Sequence, residues 1–95
     1  MIALTLDARG YLRVPPALAR ERFPADALVP LLRDDELWLF PVRGPGAGGV
    51  LLKQRSPDGE RAALLVPLVD DLRPGTWAGD WDAAAAGLRL RRLPG

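Results

Sequence analysis

Short alternating runs of apolar and polar residues dominate the chain, and they predict strands more often than helices. Ile2-Ala3-Leu4-Thr5-Leu6 reads as a first strand and Tyr11-Leu12-Arg13-Val14 as a second. Asp7-Ala8-Arg9-Gly10 lies between them as a turn, so the two strands are expected to pair as a hairpin. Pro15-Pro16 ends the ladder, because proline donates no hydrogen bond, and proline suits the first turn of a helix. A short helix over Ala17–Phe23 follows, stopped by Pro24. Ala27–Leu32 predicts a third strand, Arg33-Asp34-Asp35 a turn, and Glu36–Val42 a fourth strand.

The fourth strand carries Leu37 and Leu39 on one face and Trp38 and Phe40 on the other. With apolar side chains on both faces, it is expected to be covered on both. A chain this short supplies one cover readily, so a second subunit is expected to supply the other. Leu37, Trp38, Leu39 and Phe40 are therefore the predicted interface of a homodimer. A buried Trp38 would make Trp38→Ala cost ~3–5 kcal/mol, enough to unfold a small domain.

Gly44-Pro45-Gly46-Ala47-Gly48-Gly49 is the clearest joint, either a flexible linker or a long loop. Beyond it, Val50–Arg55 and Arg61–Val69 flank Ser56-Pro57-Asp58-Gly59, a strong turn signal. Asp70–Gly75 reads as a loop and Thr76–Trp81 as a strand. Asp82 is positioned to cap one turn over Ala83–Ala86, with Gly87 as its stop, before a last strand over Leu88–Arg91. The expected fold is mainly β. A hairpin, short helix and hairpin over residues 1–43 are followed by a small antiparallel sheet or barrel half over 50–93, within one domain of residues 1–95.

Length and composition narrow the function classes. Ninety-five residues fit one domain with a modest core, and the hydrophobic share of 48% leaves apolar surface for a partner to cover. Thirteen Lys+Arg against twelve Asp+Glu give +1, without the basic excess usual in duplex binders. Lys53 is the only lysine. The excess of Arg, Ala, Gly, Pro and Leu reads as the codon bias of a GC-rich genome, so it says little about phosphate recognition. No cysteine implies a disulfide, no apolar run reaches the ~20 residues of a membrane helix, and the first residues lack a signal-peptide pattern. The expected location is the cytoplasm.

With no His and no Cys, thiolate nucleophiles, imidazole bases and Cys/His zinc sites are unavailable. Ser56, the only serine, has no imidazole to activate it. Asp34-Asp35-Glu36 and Asp70-Asp71 are candidate acid–base or hard-cation groups, but such clusters beside turns ordinarily are solvated. Asp80 and Asp82 lack the spacing of a calcium loop, and Gly44–Gly49 lacks the tail of a phosphate loop. No enzyme activity, catalytic residue, metal or cofactor is expected.

Trp77 and Trp81 share a strand face. They are either core or anchors of a partner surface, Trp being enriched at binding hot spots. Arg89 and Arg91 share a face of the last strand, either as the solvated side of an edge or as a contact to an acidic surface. Trp77, Trp81, Arg89 and Arg91 are the predicted partner-binding residues.

Two resemblances add to this. Leu6-Asp7-Ala8-Arg9-Gly10, Leu12-Arg13-Val14-Pro15, the helix to Phe23 and Leu37-Trp38-Leu39-Phe40-Pro41 resemble the swapped-hairpin module of AbrB/MazE-type regulators and antitoxins. That resemblance implies interleaved hairpins from two chains and DNA reading through basic residues. This chain departs from the module in having Tyr11 where a basic residue usually follows the turn glycine, and in lacking the Gly-Asp before the third strand. Charges also cancel over residues 1–43. Separately, Phe23–Leu28, Glu36–Leu39 and Gly49–Arg55, followed by Asp58-Gly59-Glu60-Arg61, are similar to small proteins accompanying [NiFe]-hydrogenase maturation genes. This similarity implies a helper without an active site. The leading expectation is a non-catalytic accessory protein that binds a protein partner, with a dimeric DNA-binding regulator as the alternative.

Overall fold

A computed structural model describes residues 1–43, 48–65, 69 and 72–94. The strands are β1 (Ile2–Leu6), β2 (Tyr11–Val14), β3 (Ala27–Arg33), β4 (Glu36–Pro41), β5 (Val50–Leu51), β6 (Lys53–Gln54), β7 (Arg61–Leu64), β8 (Gly75–Asp82) and β9 (Gly87–Arg92). The helix α1 (Pro16–Arg22) joins β2 to β3. It starts with a proline in its first turn and carries Arg20 and Arg22 in its last, where cations complement the helix dipole.

All pairings are antiparallel, in the order β5-β3-β4-β9-β8-β1-β2-β7-β6. β5 and β6 are two pieces of one extended run, broken at Leu52, whose N–H is donated to the Asp26 carbonyl at 2.7 Å. Because β5 pairs with β3 and β6 with β7, this run bridges the two ends of the sheet and nearly closes it into a barrel. Closure leaves few unpaired strand edges.

The hairpins alternate around this ring. β1–β2 and β3–β4 come from residues 1–43. β6–β7 and β8–β9 come from the second half, and every hairpin is flanked by hairpins of the other half. Of the two arrangements expected for the second half, a separate small sheet or a barrel half, its strands take the second, as staves set between those of the first half. The cover over the Leu37 and Leu39 face of β4 comes from this chain's own barrel. Both leucines are fully buried inside the barrel with Leu4, Leu6, Leu12, Leu28, Leu88 and Leu90.

Several local readings shift. The run expected over Arg61–Val69 is a strand only to Leu64, and residues 66–68 lie outside the described residues. So do residues 44–47 of the expected joint and Asp70-Asp71 of the expected loop. Asp82 accepts the Ala85 N–H at 3.0 Å as a cap, but the turn it caps is the β8–β9 hairpin rather than a helical turn, and Gly87 opens β9. Among the described residues, no helix is long and apolar enough to cross a membrane.

Candidate partner-binding surface

Alternation along β4 sends Leu37 and Leu39 inward and Trp38 and Phe40 outward, where both are half-buried. Among the described residues, the barrel covers the Leu37 and Leu39 face of β4 and leaves the Trp38 and Phe40 face half-buried. Across the register, Leu31 lies opposite Trp38 and Val29 opposite Phe40, each 42% exposed. Leu51, on neighbouring β5, is also exposed. The Trp38 and Phe40 rings are parallel within 4°, with centroids 5.8 Å apart. Phe40 reaches across β9 only because Gly87 has no side chain: a Cβ there would stand 2.7 Å from the phenyl ring.

On the other side of Trp38 runs a charged column. Arg89 lies opposite Trp38 and Arg91 opposite Glu36. The Arg89 guanidinium is 5.5 Å from the Trp38 ring centroid, within cation–π range. Glu36 is nearly buried, and its Oε2 accepts hydrogen bonds from Nε of Arg89 and, at 3.2 Å, Nε of Arg91. The Arg89 hydrogen bond holds the Glu36 carboxyl below the ordinary glutamate range against the opposing effect of burial, and Arg91 adds to it. Arg33 is opposite Glu36 on β3, while Asp80 is opposite Arg89 on β8.

The four residues expected to bind a partner therefore divide. Arg89 and Arg91 are outward and exposed. Trp77 is inside the barrel, 4% exposed, with its indole N–H donated to the Arg73 carbonyl at 2.9 Å. Trp81 shares that inner face, half-buried against the core beneath the Arg22 guanidinium, 4.3 Å from the ring centroid. The aromatic that meets the arginine column is Trp38, so the expected aromatic–arginine cluster forms with a different tryptophan. The residues expected at a dimer interface divide the same way: Leu37 and Leu39 are core, Trp38 and Phe40 surface. Val29 and Leu31 were not singled out from sequence, because Ala27–Leu32 is apolar at every position and its alternation does not reveal which face is outward.

Two other features flank this surface. The opposite wall carries Tyr11 and Arg13 on β2, Lys53 on β6 and Arg55 beyond it, with the Arg55 guanidinium 5.4 Å from the Tyr11 ring centroid. At the turn below, the Asp7 carboxylate accepts the N–H groups of Arg9 and Tyr11, and the Tyr11 bond chiefly holds its pKa low. At the barrel end away from α1, a cleft of about 1230 Å³ opens among Leu32, Leu72, Trp77, Asp34 and Arg92. Among the described residues, no three Asp or Glu side chains gather as a metal site. No protein-family model, curated protein or solved structure matches the chain.

Proposed function

We propose that this protein is a non-catalytic accessory or adaptor that binds a protein partner. The observation that carries this reading is the outward face of β3 and β4. Val29, Leu31, Trp38 and Phe40 form one contiguous apolar patch on a barrel that already has a filled interior. Such a patch, aromatic at its centre and arginine-flanked, has the composition of a protein interface. The similarity to small proteins accompanying [NiFe]-hydrogenase maturation genes suggests that the partner takes part in metalloenzyme assembly. Affinity capture of the tagged protein from its native host, after in-cell cross-linking, tests the reading: a stoichiometric protein partner is expected. Loss of hydrogenase activity on deletion of the gene tests the pathway.

A second reading is a DNA-binding regulator of the AbrB/MazE kind. Two observations favour it. Hairpins from the two halves interleave around one barrel, as two chains do in that family, and Arg13, Lys53 and Arg55 share one wall. Binding to random duplex that weakens steeply with salt is the expected signature, because phosphate contacts release counterions. A flat salt response or no binding leaves the first reading in place.

A further inference from the structure

We infer that the Val29–Leu31–Trp38–Phe40 face docks an apolar segment of a partner protein that is flanked by carboxylates, and that Arg89 and Arg91 receive those carboxylates. The inference rests on the protein-binding reading above and names the chemistry of its partner.

The outward columns run in order across the sheet: apolar on β3, aromatic on β4, cationic on β9, acidic on β8. Between β4 and β9 the hydrogen bonds converge on one carboxylate, Glu36, which serves both Arg89 and Arg91, while Asp80 and Asp82 stand along β8 on the far side of Arg89. Both hydrogen bonds to Glu36 use Nε, while the Arg89 and Arg91 side chains stay 48% and 69% exposed. A guanidinium held by its Nε still presents terminal N–H groups in a fork suited to a carboxylate. Glu36 thus aims the two forks as well as partly neutralising them. The Trp38 ring beside Arg89 and the Phe40 ring laid over Gly87 are likewise fixed before a partner arrives, which lowers the ordering cost of binding.

A second copy of this chain does not complete the pattern. A two-fold axis across the strands lays each column on itself and sets cation against cation. An axis along the strands that joins the aromatic columns sets Arg89 and Arg91 over the apolar side chains of the other copy's β3. Neither arrangement brings carboxylates to the arginines, whereas a partner with acidic residues beside its apolar ones does.

The test uses the full chain with three synthetic peptides that share the same Leu and Trp residues and differ only in their flanks, which are Glu, Gln or Lys. Amide chemical-shift changes are expected on β3, β4 and β9, and the Glu-flanked peptide should bind about tenfold or more tightly than the Lys-flanked one. Leu31→Glu, an exposed change, and Arg89→Gln should each weaken the Glu-flanked peptide and the native partner, with melting temperature as the folding control. Equal binding of all three peptides, or shifts confined to another wall, overturns the inference. A concentration-dependent dimer abolished by Leu31→Glu overturns it in favour of a second copy. A native partner captured equally by wild type, Leu31→Glu and Arg89→Gln overturns this surface but leaves the protein-binding reading standing. Absence of any partner and of peptide binding removes both.

Discussion

The Arg22 guanidinium lies 4.3 Å from the centroid of the Trp81 ring, so the last turn of α1 is fastened to β8 across one end of the barrel. Residues of α1 and of the chain just after it, Leu18, Ala19 and Phe23, join the same core that Trp81 packs against. The pair thus links the helix to a strand about sixty residues away in sequence.

Arg22→Ala should therefore cost ~0.5–1 kcal/mol, the usual worth of a partly exposed cation–π contact. Trp81→Ala should cost ~2 kcal/mol, because a half-buried ring loses part of the burial a fully buried one would lose. The double variant should fall short of the sum by most of the Arg22 contribution, read from urea unfolding midpoints at a constant slope. Full additivity would show that the two side chains do not interact in solution.

Neighbours on β4 should behave oppositely. Leu37→Ala empties space in a filled barrel and is expected to cost ~2–5 kcal/mol. Trp38→Ala removes a half-buried ring from the outer face and should cost ~1–2 kcal/mol, short of what unfolds the protein. The sequence-based expectation of unfolding on Trp38→Ala thus gives way to a binding defect in a folded protein. Thermal melts of the two variants, side by side, decide the matter.

Glu36 makes stability depend on pH. Hydrogen bonds from Arg89 and Arg91 depress its folded pKa below the unfolded value, so the unfolded chain takes up the proton first on acidification. The stabilisation is complete above the unfolded glutamate pKa of about 4.3 and is lost as pH falls toward the folded pKa. Glu36→Gln should lower the melting temperature at neutral pH and flatten its decline between about pH 5 and pH 3. High salt should reduce the difference only in part, since the carboxylate is shielded from solvent. An unchanged acid limb in Glu36→Gln would show that the arginines do not hold the carboxylate.

Much of the local structure is legible in the chain because the signals are local. Asp7–Gly10 turns with Gly10 at φ 92°, Pro16 opens α1, and strand spans are set by alternation within a few residues. The ring order is not legible. Nothing in Leu88–Arg91 states that it lies between β4 and β8, because any apolar-alternating strand offers the same face to any neighbour. The role of Trp77 was similarly underdetermined. Trp77 and Trp81 do share a face, but whether that face is core or surface depends on the direction the sheet curls. Close approaches are the third hidden feature. Gly79 looks like an ordinary strand glycine, yet a Cβ there would lie within 1.9 Å of the Arg89 carbonyl oxygen. Phe40 reads as one more apolar position, although its place depends on a glycine nearly fifty residues away in sequence.

The β3–β4 turn offers the last prediction. Arg33 pairs with Glu36, so Asp34 and Asp35 form a two-residue loop, and both have positive φ, 52° and 63°. Positive φ at both central residues is the signature of the type I′ turn, which matches the right-handed twist of the flanking strands and is dominated by Asn-Gly. Aspartate tolerates this region better than most residues but remains strained there. Two adjacent carboxylates also repel each other at the rim of the cleft they line. Asp34→Asn with Asp35→Gly relieves both effects. Against this, glycine widens the conformational freedom of the unfolded chain, which cancels part of the gain. The net expectation is a stabilisation of ~0.5–1 kcal/mol, a rise of about 3–6 °C in melting temperature for a chain of this size. The β4 amides should exchange more slowly, with the shifts of Trp38 and Phe40 unchanged. A lower melting temperature would mean that the aspartates make contacts across the cleft worth more than the backbone strain, and would direct attention from the β3–β4 outer face to the barrel mouth.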